Sequence, residues 1–290
     1  MYTLYSLIKR NFLIFIRSKS TIFFSLLSSL IMFLLYFLVL GQNIINGVSV
    51  NIPIDQITFL VDSDILGGVL IISIIGTVSG GLNSFVMDQY ESKLQGILVS
   101  PVSRVKIILG YVIAAVLSSF LITLILWVFI YLYIGISTSH FFSFGTFVIV
   151  PLILFLYTII TSMILLFPMS LFTTPSASSP FTGIVGTLVG FTCGIYMPLS
   201  LFSPSMNSVA GLIPFTHMQV ILKRVMITDS LELMNIPKEN LEELWKTLGA
   251  NEINILGLDL NPFMKIIYSF VIALIFLFLS VLVISKKIKK

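Results

Sequence analysis

Charged side chains are scarce in this chain of 290 residues. Asp, Glu, Lys and Arg together make up 10% of it, whereas a soluble domain carries about 25%. Hydrophobic residues make up 57%, and the mean hydropathy is +1.10. So few charges cannot cover the water-facing surface of a globular protein of 32.3 kDa. The composition therefore excludes a soluble globular protein and indicates a polytopic membrane protein.

Groups that perform chemistry are scarce as well. The single cysteine, Cys193, excludes an intramolecular disulfide and a multi-cysteine metal site. His140 and His217 have no second metal ligand at a useful spacing, and we expect each to be a surface histidine. The segment Gly76–Gly80 is only loosely similar to a G-x-S-x-G nucleophile turn, and no G-x-x-x-x-G-K-[ST] loop for ATP phosphates occurs. We therefore expect no catalytic residue, no metal and no cofactor on this chain, and do not expect it to be an enzyme.

Long runs without a charged residue locate the membrane. A transmembrane helix needs about 20 apolar residues, and clusters of proline and glycine divide the longest run into several spans. These runs predict an all-α fold, with one transmembrane domain over residues 1–290 and no ionisable side chain in the helix interiors. A transporter driven by an ion gradient is thereby disfavoured. The six predicted transmembrane helices cover roughly 21–41, 65–87, 107–134, 144–167, 181–197 and 266–284.

Basic residues fall on one side of these six helices. Lysine and arginine cluster before the first helix, between the second and the third, and at the C-terminus, and such clusters are retained in the cytoplasm. We therefore expect a multi-pass protein of the cell (plasma) membrane with both termini cytoplasmic. Residues 2–19 are predicted to form an interfacial helix, and residues 199–265 an extracellular segment with a short helix at 237–248.

Small and hydroxyl-bearing residues recur within the predicted helices. Gly186, Gly190 and Gly194 are spaced by four on the fifth helix, which is typical of close helix packing, either in a dimer interface or within one subunit. Serine and threonine side chains can line a substrate path, or they can bond back to their own helix. The residues that we name as a possible substrate path are Ser28, Ser29, Ser73, Thr77, Thr187 and Thr192. Further polar residues that could line a cavity are Ser25, Ser79 and Asn83.

The most specific pattern is the segment 88–104, between the second and third helices. Leu94, Ile97 and Leu98 have the i, i+3, i+4 spacing of an apolar helix face, and acidic residues precede them, where the helix dipole favours acids. A proline then ends the helix. A short amphipathic helix between two spans is suited to a groove on a soluble partner. The residues that we expect to couple to such a partner are Asp88, Glu91, Leu94, Ile97, Leu98, Pro101 and Arg104.

This segment resembles the one before the third helix in the membrane subunit of type-2 ABC (ATP-binding cassette) exporters. That family shows an acidic residue, a turn, two apolar residues and a Ser-Pro-x-Ser-Arg sequence, and Ser100–Arg104 reads Ser-Pro-Val-Ser-Arg here. Gln89 and Ser92 depart from the usual Arg and Gly, and Gln95 departs from a frequent Glu. Downstream, Pro214-Phe-Thr-His217 is similar to the family's Asn-Pro-x-Thr-Tyr, with histidine in place of tyrosine. The resemblance covers essentially the whole chain.

The resemblance implies a permease subunit of an ABC exporter that moves a hydrophobic or amphipathic substrate, such as a drug, a peptide or a lipid-like molecule, outward. Its implied partners are two copies of a separate ATPase subunit, which would hold ATP and Mg²⁺, and a second permease chain in a homodimer or heterodimer. No nucleic acid is implied. Two alternatives remain open: a membrane scaffold or immunity protein that binds a toxin without transport, and a transporter that is not driven by ATP.

Overall fold

The computed structural model describes residues 2–40, 53–98, 102–196, 199–234, 245, 249, 254–255 and 258–287, and these are almost entirely helical. Two short strands, β1 (Asn254–Ile255) and β2 (Leu258–Asp259), pair antiparallel. A π-helical turn (Tyr36–Leu40) continues α2, and a 3-10 turn (Leu199–Leu201) precedes α8. The α-helices are α1 (Tyr2–Arg17), α2 (Lys19–Leu35), α3 (Ile54–Tyr90), α4 (Lys93–Leu98), α5 (Arg104–Thr138), α6 (Phe144–Leu171), α7 (Pro175–Thr192), α8 (Pro204–Gly211), α9 (Pro214–Leu233) and α10 (Pro262–Lys287).

Five of these helices are long and apolar enough to cross a membrane, in the part of the chain that the structure describes. They are α2 with its π-helical continuation, α3, α5, α6 and α10, and all but α3 begin and end within a few residues of a predicted span. Helix α7 has 18 residues and is not among the five, because its first turns hold Pro175, Pro180 and several serines. The crossing predicted for this helix therefore stays a prediction.

Helix α3 begins well before the predicted second span. It starts at Ile54 instead of residue 65 and so includes three acidic residues that lie outside the uncharged run. The expectation that the helix interiors hold no ionisable side chain is wrong, because Asp62 is only 2% exposed. A carboxylate is tolerated inside a bundle when other helices supply its partners. The pairs are Asp55 with His140, Asp62 with Tyr36, and Asp64 with Lys223.

Helix α3 is the centre of the bundle. Within its most apolar window 89% of the residues are buried, against 22% for α2 and 17% for α10. It packs against α1, α2, α4, α5, α6, α7 and α9. The apolar surfaces of α2 and α10 therefore remain for lipid or for another chain, whereas α3 meets mostly protein.

Glycines allow α3 to approach its neighbours closely. A Cβ atom at Gly76 would lie 1.9 Å from the carbonyl oxygen of Ser25 in α2, and one at Gly81 would lie 3.0 Å from the Cα of Ala115 in α5. Small residues at such crossings allow membrane helices to pack tightly, which matters because lipid provides no hydrophobic drive for helices to associate. Helix α3 is therefore held between α2 and α5 by near-backbone contact.

Polar contacts join the helices at both ends of the bundle. At the end of the bundle that holds the segment 88–104, Arg10 of α1 pairs with Asp88 of α3. We call this end the basic end, because the lysines and arginines of α1 and of the segment 88–104 lie there. At the opposite end, Lys223 Nζ of α9 lies 2.8 Å from Asp64 Oδ1 of α3. Helix α9 packs against α3, α6 and α10, so this part of the segment 199–265 belongs to the bundle. The predicted helix at 237–248 lies outside the described residues, apart from Trp245.

We expect Gly76→Ala to destabilise the bundle, because the added methyl group would overlap the backbone of α2. Overpacking a tight site costs about 1–3 kcal/mol. The matched control is Gly183→Ala in α7, where an added Cβ meets nothing within 4 Å and alanine favours the helix. Thermal unfolding of both variants in one detergent measures the difference. Equal melting temperatures would contradict the close contact between α2 and α3.

Candidate coupling segment and cavity

The segment 88–104 forms a short helix between two long ones at the basic end. Helix α3 ends at Tyr90, a turn follows with Ser92 at φ 59°, and α4 covers Lys93–Leu98. Pro101 lies outside the described residues, and α5 begins at Arg104. The structure thus places a helix where the apolar spacing predicts one, but this helix is only 6 residues long.

Asp88, one of the predicted coupling residues, joins three helices. Its two carboxylate oxygens accept hydrogen bonds from the two terminal guanidinium nitrogens of Arg10, each at 2.6 Å, and the Tyr111 hydroxyl donates to it at 2.6 Å. Hydrogen bonding to Asp88 raises the pKa of Arg10 above its ordinary value, so this guanidinium stays charged. Asp88 is buried, and it therefore connects α1, α3 and α5 within the chain.

The other predicted coupling residues are divided between the core and the surface. Leu94 is 7% exposed and belongs to the hydrophobic core, and Ile97 is half-buried against that core. Glu91 forms an ion pair with its neighbour Lys93 at the surface. The Arg104 guanidinium donates to a carbonyl oxygen of α10 at 3.5 Å. Leu94 and Ile97 of the predicted apolar face therefore pack against their own chain, while the side chain of Leu98 lies outside the described part.

The outward face of α4 consists of residues that the apolar pattern did not indicate. Lys93, Gln95 and Gly96 are exposed, and a Cβ atom added at Gly96 would meet nothing within 4 Å. A partner that binds α4 would therefore contact these polar positions and not Leu94 and Ile97. Helical spacing distinguishes an apolar from a polar face of a helix. It does not show whether the apolar face is covered by a partner or by the same chain.

A cavity of about 480 Å³ lies between α2, α3 and α7. Ser20 and Thr21 at the start of α2 and Asn83 in the last turns of α3 place it toward the basic end. Its wall is formed by serine, threonine, asparagine and glycine, together with the apolar side chains of Phe24 and Leu27. This combination of hydroxyls and apolar surface suits a small-molecule site.

Ser28 is the predicted substrate-path residue that lines this cavity. The remaining five side chains follow the alternative that the sequence left open, because each hydroxyl bonds back to its own helix. They donate to carbonyl oxygens three or four residues earlier, and they are Ser29, Ser73, Thr77, Thr187 and Thr192.

The α3 wall of the cavity holds two polar residues that the sequence indicates as possible cavity residues, Ser79 and Asn83, and two glycines. Gly76, Ser79, Gly80 and Asn83 line it together. Their spacing of i, i+3, i+4, i+7 marks one face of a helix, so a small and polar stripe was visible in the sequence. The signal was weak because the four residues are of three different types.

Two glycines of α7 pack against other parts of the same chain. A Cβ atom at Gly186 would lie 3.7 Å from Ser28 Oγ of α2, an ordinary contact distance. One at Gly190 would lie 2.1 Å from the ring of Tyr196, so this position admits only glycine in the present packing. Both observations fit packing within one subunit, and a dimer interface at these glycines stays a prediction.

Gly194 lies beyond the end of α7, and its predicted place on the helix face is wrong. Its φ is +74°, its amide donates to the Phe191 carbonyl oxygen at 3.2 Å, and the Ile195 amide donates to the Gly190 carbonyl oxygen at 3.1 Å. This pair of bonds is the Schellman motif, which ends a helix at a residue in the left-handed region. Glycine adopts that conformation without steric cost, so Gly194 stops the helix here.

His217 is buried, and the expectation that it lies at the surface is wrong. Its Nε2 lies 2.7 Å from the Gly211 carbonyl oxygen, and its ring packs edge-on against Tyr268 of α10. Burial lowers the pKa of His217 below the ordinary value of 6.5, and the nearby charge of Lys265 lowers it further. A neutral imidazole therefore connects the turn between α8 and α9 to the rest of the bundle.

Asp62 and Asp64 form the acidic part of α3 at the opposite end. The Tyr36 hydroxyl donates to Asp62 Oδ1, while Asp62 Oδ2 is buried with no hydrogen-bond partner among the described residues. Lys223, counted in the sequence as part of an external segment, is 5% exposed and neutralises Asp64. No group of three His, Cys, Asp or Glu that could hold a metal ion occurs in the described ranges.

Long apolar helices around a buried central helix, with internally paired charges, define a polytopic α-helical membrane protein. The family model described as ABC-2 type transporter matches residues 2–227. The chain therefore belongs to the ABC-2 type transporter family, the membrane permease family of type-2 ABC exporters. The resemblance drawn from the segment 88–104 is thereby confirmed. No curated protein matches the chain.

We expect Asp88→Asn to destabilise the chain more than Glu91→Gln does. Hydrogen bonds to a charged group contribute about 1.5–3 kcal/mol, and Asp88→Asn leaves Arg10 without its counter-charge. The exposed pair of Glu91 and Lys93 contributes about 0–1 kcal/mol. Melting temperatures in one detergent measure both effects. A melting temperature for Asp88→Asn as high as that of Glu91→Gln would contradict the stabilising role of Asp88.

We also expect acid to weaken the contacts of His217. Because burial lowers its folded pKa, the unfolded chain binds the proton more tightly, and the stability that neutral His217 provides is lost as pH falls below about 6.5. The melting temperature of the wild type should drop more between about pH 7.5 and about pH 5.5 than that of His217→Gln, which cannot titrate. Parallel pH profiles for the two proteins would refute this role.

Proposed function

We propose that this chain is the permease subunit of an ABC exporter, driven by separate ATPase subunits that bind its helix α4. The family assignment supports a permease subunit. The observation that carries the mechanism is the arrangement of α4, which turns polar residues outward while Leu94 fixes its other face in the core. Such a helix can receive a partner on one side and pass movement to the bundle on the other.

The contacts of α4 explain how that movement would reach the membrane. Helix α4 follows α3 after a two-residue turn and precedes α5, so both long helices move with it. Asp88 joins α3 to α1 through Arg10 and to α5 through Tyr111. Closure of two ATPase subunits on ATP would therefore act on α1, α3 and α5 as one unit.

In this proposal the basic end faces the cytoplasm, with both termini, and cargo moves outward across the plasma membrane. The retention of basic segments in the cytoplasm supports that orientation. The cargo is hydrophobic or amphipathic, because large apolar side chains are exposed on the helices beside the cavity. Phe24 of α2 and Ile184 of α7 are 68% and 58% exposed.

A second permease chain completes the proposed assembly. The exposed apolar surfaces of α2 and α7 lie on either side of the cavity, and they would meet the same surfaces of a second copy or of a sibling chain. Membrane helices associate through such packing when small residues permit close approach, and Gly183 of α7 has open space above it. Two ATPase subunits would then bind the two α4 helices.

One observation favours a second candidate, a transporter driven by an ion gradient. Asp62 has a buried carboxylate oxygen without a partner among the described residues, and acids of this kind carry protons or ions in gradient-driven transporters. Transport by vesicles that contain this chain and no ATPase, abolished by Asp62→Asn, would establish that candidate. Dependence on added ATPase and ATP would reject it.

Gly96→Leu tests the binding of an ATPase to α4. The position is open, so the chain should fold, but the leucine side chain would project from the outward face. We expect the amount of P-loop ATPase that co-purifies in mild detergent to be about tenfold or more lower than with the wild type. A tenfold decrease corresponds to a loss of about 1.4 kcal/mol of binding free energy. Leu94 is unsuitable for this test, because its substitution would disturb the core.

The matched control is Gly145→Leu, an exposed glycine in the first turn of α6 at the opposite end. It should retain the ATPase and the melting temperature of the wild type. Co-purification of the ATPase with Gly96→Leu at the wild-type level would show that α4 is not the binding site, and absence of any ATPase from wild-type preparations would reject the permease proposal.

A further inference from the structure

Four hydrogen-bonding groups in the cavity between α2, α3 and α7 make no hydrogen bond to another described residue. They are the hydroxyls of the exposed Ser20 and of Ser28 and Ser79, and the amide nitrogen of Asn83. The amide oxygen of Asn83, in contrast, accepts a hydrogen bond from Ser178 Oγ at 2.8 Å. Asn83 is therefore held by α7 through its oxygen, while its two N–H donors remain available.

One of the glycines that line the cavity faces open space. A Cβ atom added at Gly183 would meet nothing within 4 Å, whereas at Gly76 and Gly80 it would meet α2 or α1. The volume of about 480 Å³ lies within the range of about 300–1,000 Å³ that is typical of ligand pockets. The cavity can therefore hold a small molecule or one part of a larger one.

The wall of the cavity determines which chemistry fits. None of the lining residues carries a charge. A charged group would lose part of its hydration here without gaining a counter-charge, which is unfavourable. A purely apolar group would leave the hydroxyls of Ser28 and Ser79 and the amide N–H groups of Asn83 without partners, which is unfavourable as well. An uncharged group with its own hydrogen-bonding atoms avoids both costs.

We infer that this cavity binds an uncharged part of the cargo, one that carries hydroxyl or amide groups beside an apolar portion. The inference rests on the proposed function and narrows its cargo. Ser28, Ser79 and Asn83 bind the polar groups, while Phe24 and Leu27 contact the apolar portion. Charged parts of an amphipathic cargo would remain outside this cavity.

Cysteine labelling tests this chemistry without knowledge of the cargo. Ser79→Cys and Ser28→Cys place a thiol in the cavity, and Thr3→Cys on the exposed side of α1 is the reference. The native Cys193 is buried, so the unsubstituted chain serves as the labelling blank. Inside-out vesicles that contain the whole complex are treated with hydroxyethyl, propyl, sulfonatoethyl or trimethylammonioethyl methanethiosulfonate, and labelling is followed by mass spectrometry.

Each labelling rate is divided by the rate of the same reagent at Thr3→Cys. We then expect the hydroxyethyl reagent to label both cavity cysteines at least about tenfold faster than either charged reagent. A tenfold ratio corresponds to about 1.4 kcal/mol. The propyl reagent should fall between them, because it is uncharged but forms no hydrogen bond. Lipid partitioning alone would reverse that order and make the propyl reagent the fastest.

Charged reagents that label as fast as the hydroxyethyl reagent would overturn the inference, and so would failure of all four reagents at both cavity cysteines. Labelling that is fastest with the propyl reagent would overturn the hydrogen-bonding part of it. Co-purification of the ATPase is measured on the same membranes. If the ATPase is present and the order of reagents is wrong, the cavity inference alone fails; if the wild type carries no ATPase, the proposed function fails.

Discussion

Burial of helix α3 along most of its length is the constraint on which the rest of the structure depends. A helix that contacts seven others in the described part of the chain has no lipid-facing stripe, so its neighbours must approach on every side. Glycine at Gly76 and Gly81 makes that approach possible, because a methyl group at either position would meet the backbone of α2 or of α5. Because α3 has no side chain at these two positions, α2 and α5 can lie against its backbone. Membrane helices need such close packing to associate.

The burial of α3 also explains why its acidic side chains are paired with other helices. An acid on a helix surrounded by protein needs a partner from that protein, and α3 has one near each end: Asp88 with Arg10, and Asp64 with Lys223. Removing one partner would leave an uncompensated charge in a poorly hydrated site, which costs far more than an exposed pair contributes. Helices α1 and α9 are not among the five long apolar helices of the described chain, and these pairs hold them against the bundle.

The sequence predicts the helices that face lipid, but it does not predict contacts that are made inside the protein. Uncharged runs located α2, α5, α6 and α10 because a lipid-facing helix must be apolar. The start of α3 was missed because its acids have partners on α9 and α2 that only the fold brings near. The spacing of Leu94 and Ile97 predicted an apolar face on α4, yet periodicity cannot say whether that face meets a partner or the chain itself. Gly194 fits the spacing of a packing stripe, but its positive φ depends on where the helix ends.

The coupling segment 88–104 and the cavity both lie near the C-terminal end of α3. Asn83 and Asp88 lie about 7.5 Å apart along the axis of α3, so a movement imposed through α4 reaches the cavity wall within about one and a half turns. The α2 wall is held to α3 by backbone contact at Gly76, whereas the Ser178–Asn83 hydrogen bond spans the junction of α3 with α7. In the proposed exporter, movement of α3 would therefore act on the α2 wall through this backbone contact. It would act on the α7 wall through the Ser178–Asn83 hydrogen bond and the packing of α3 against α7.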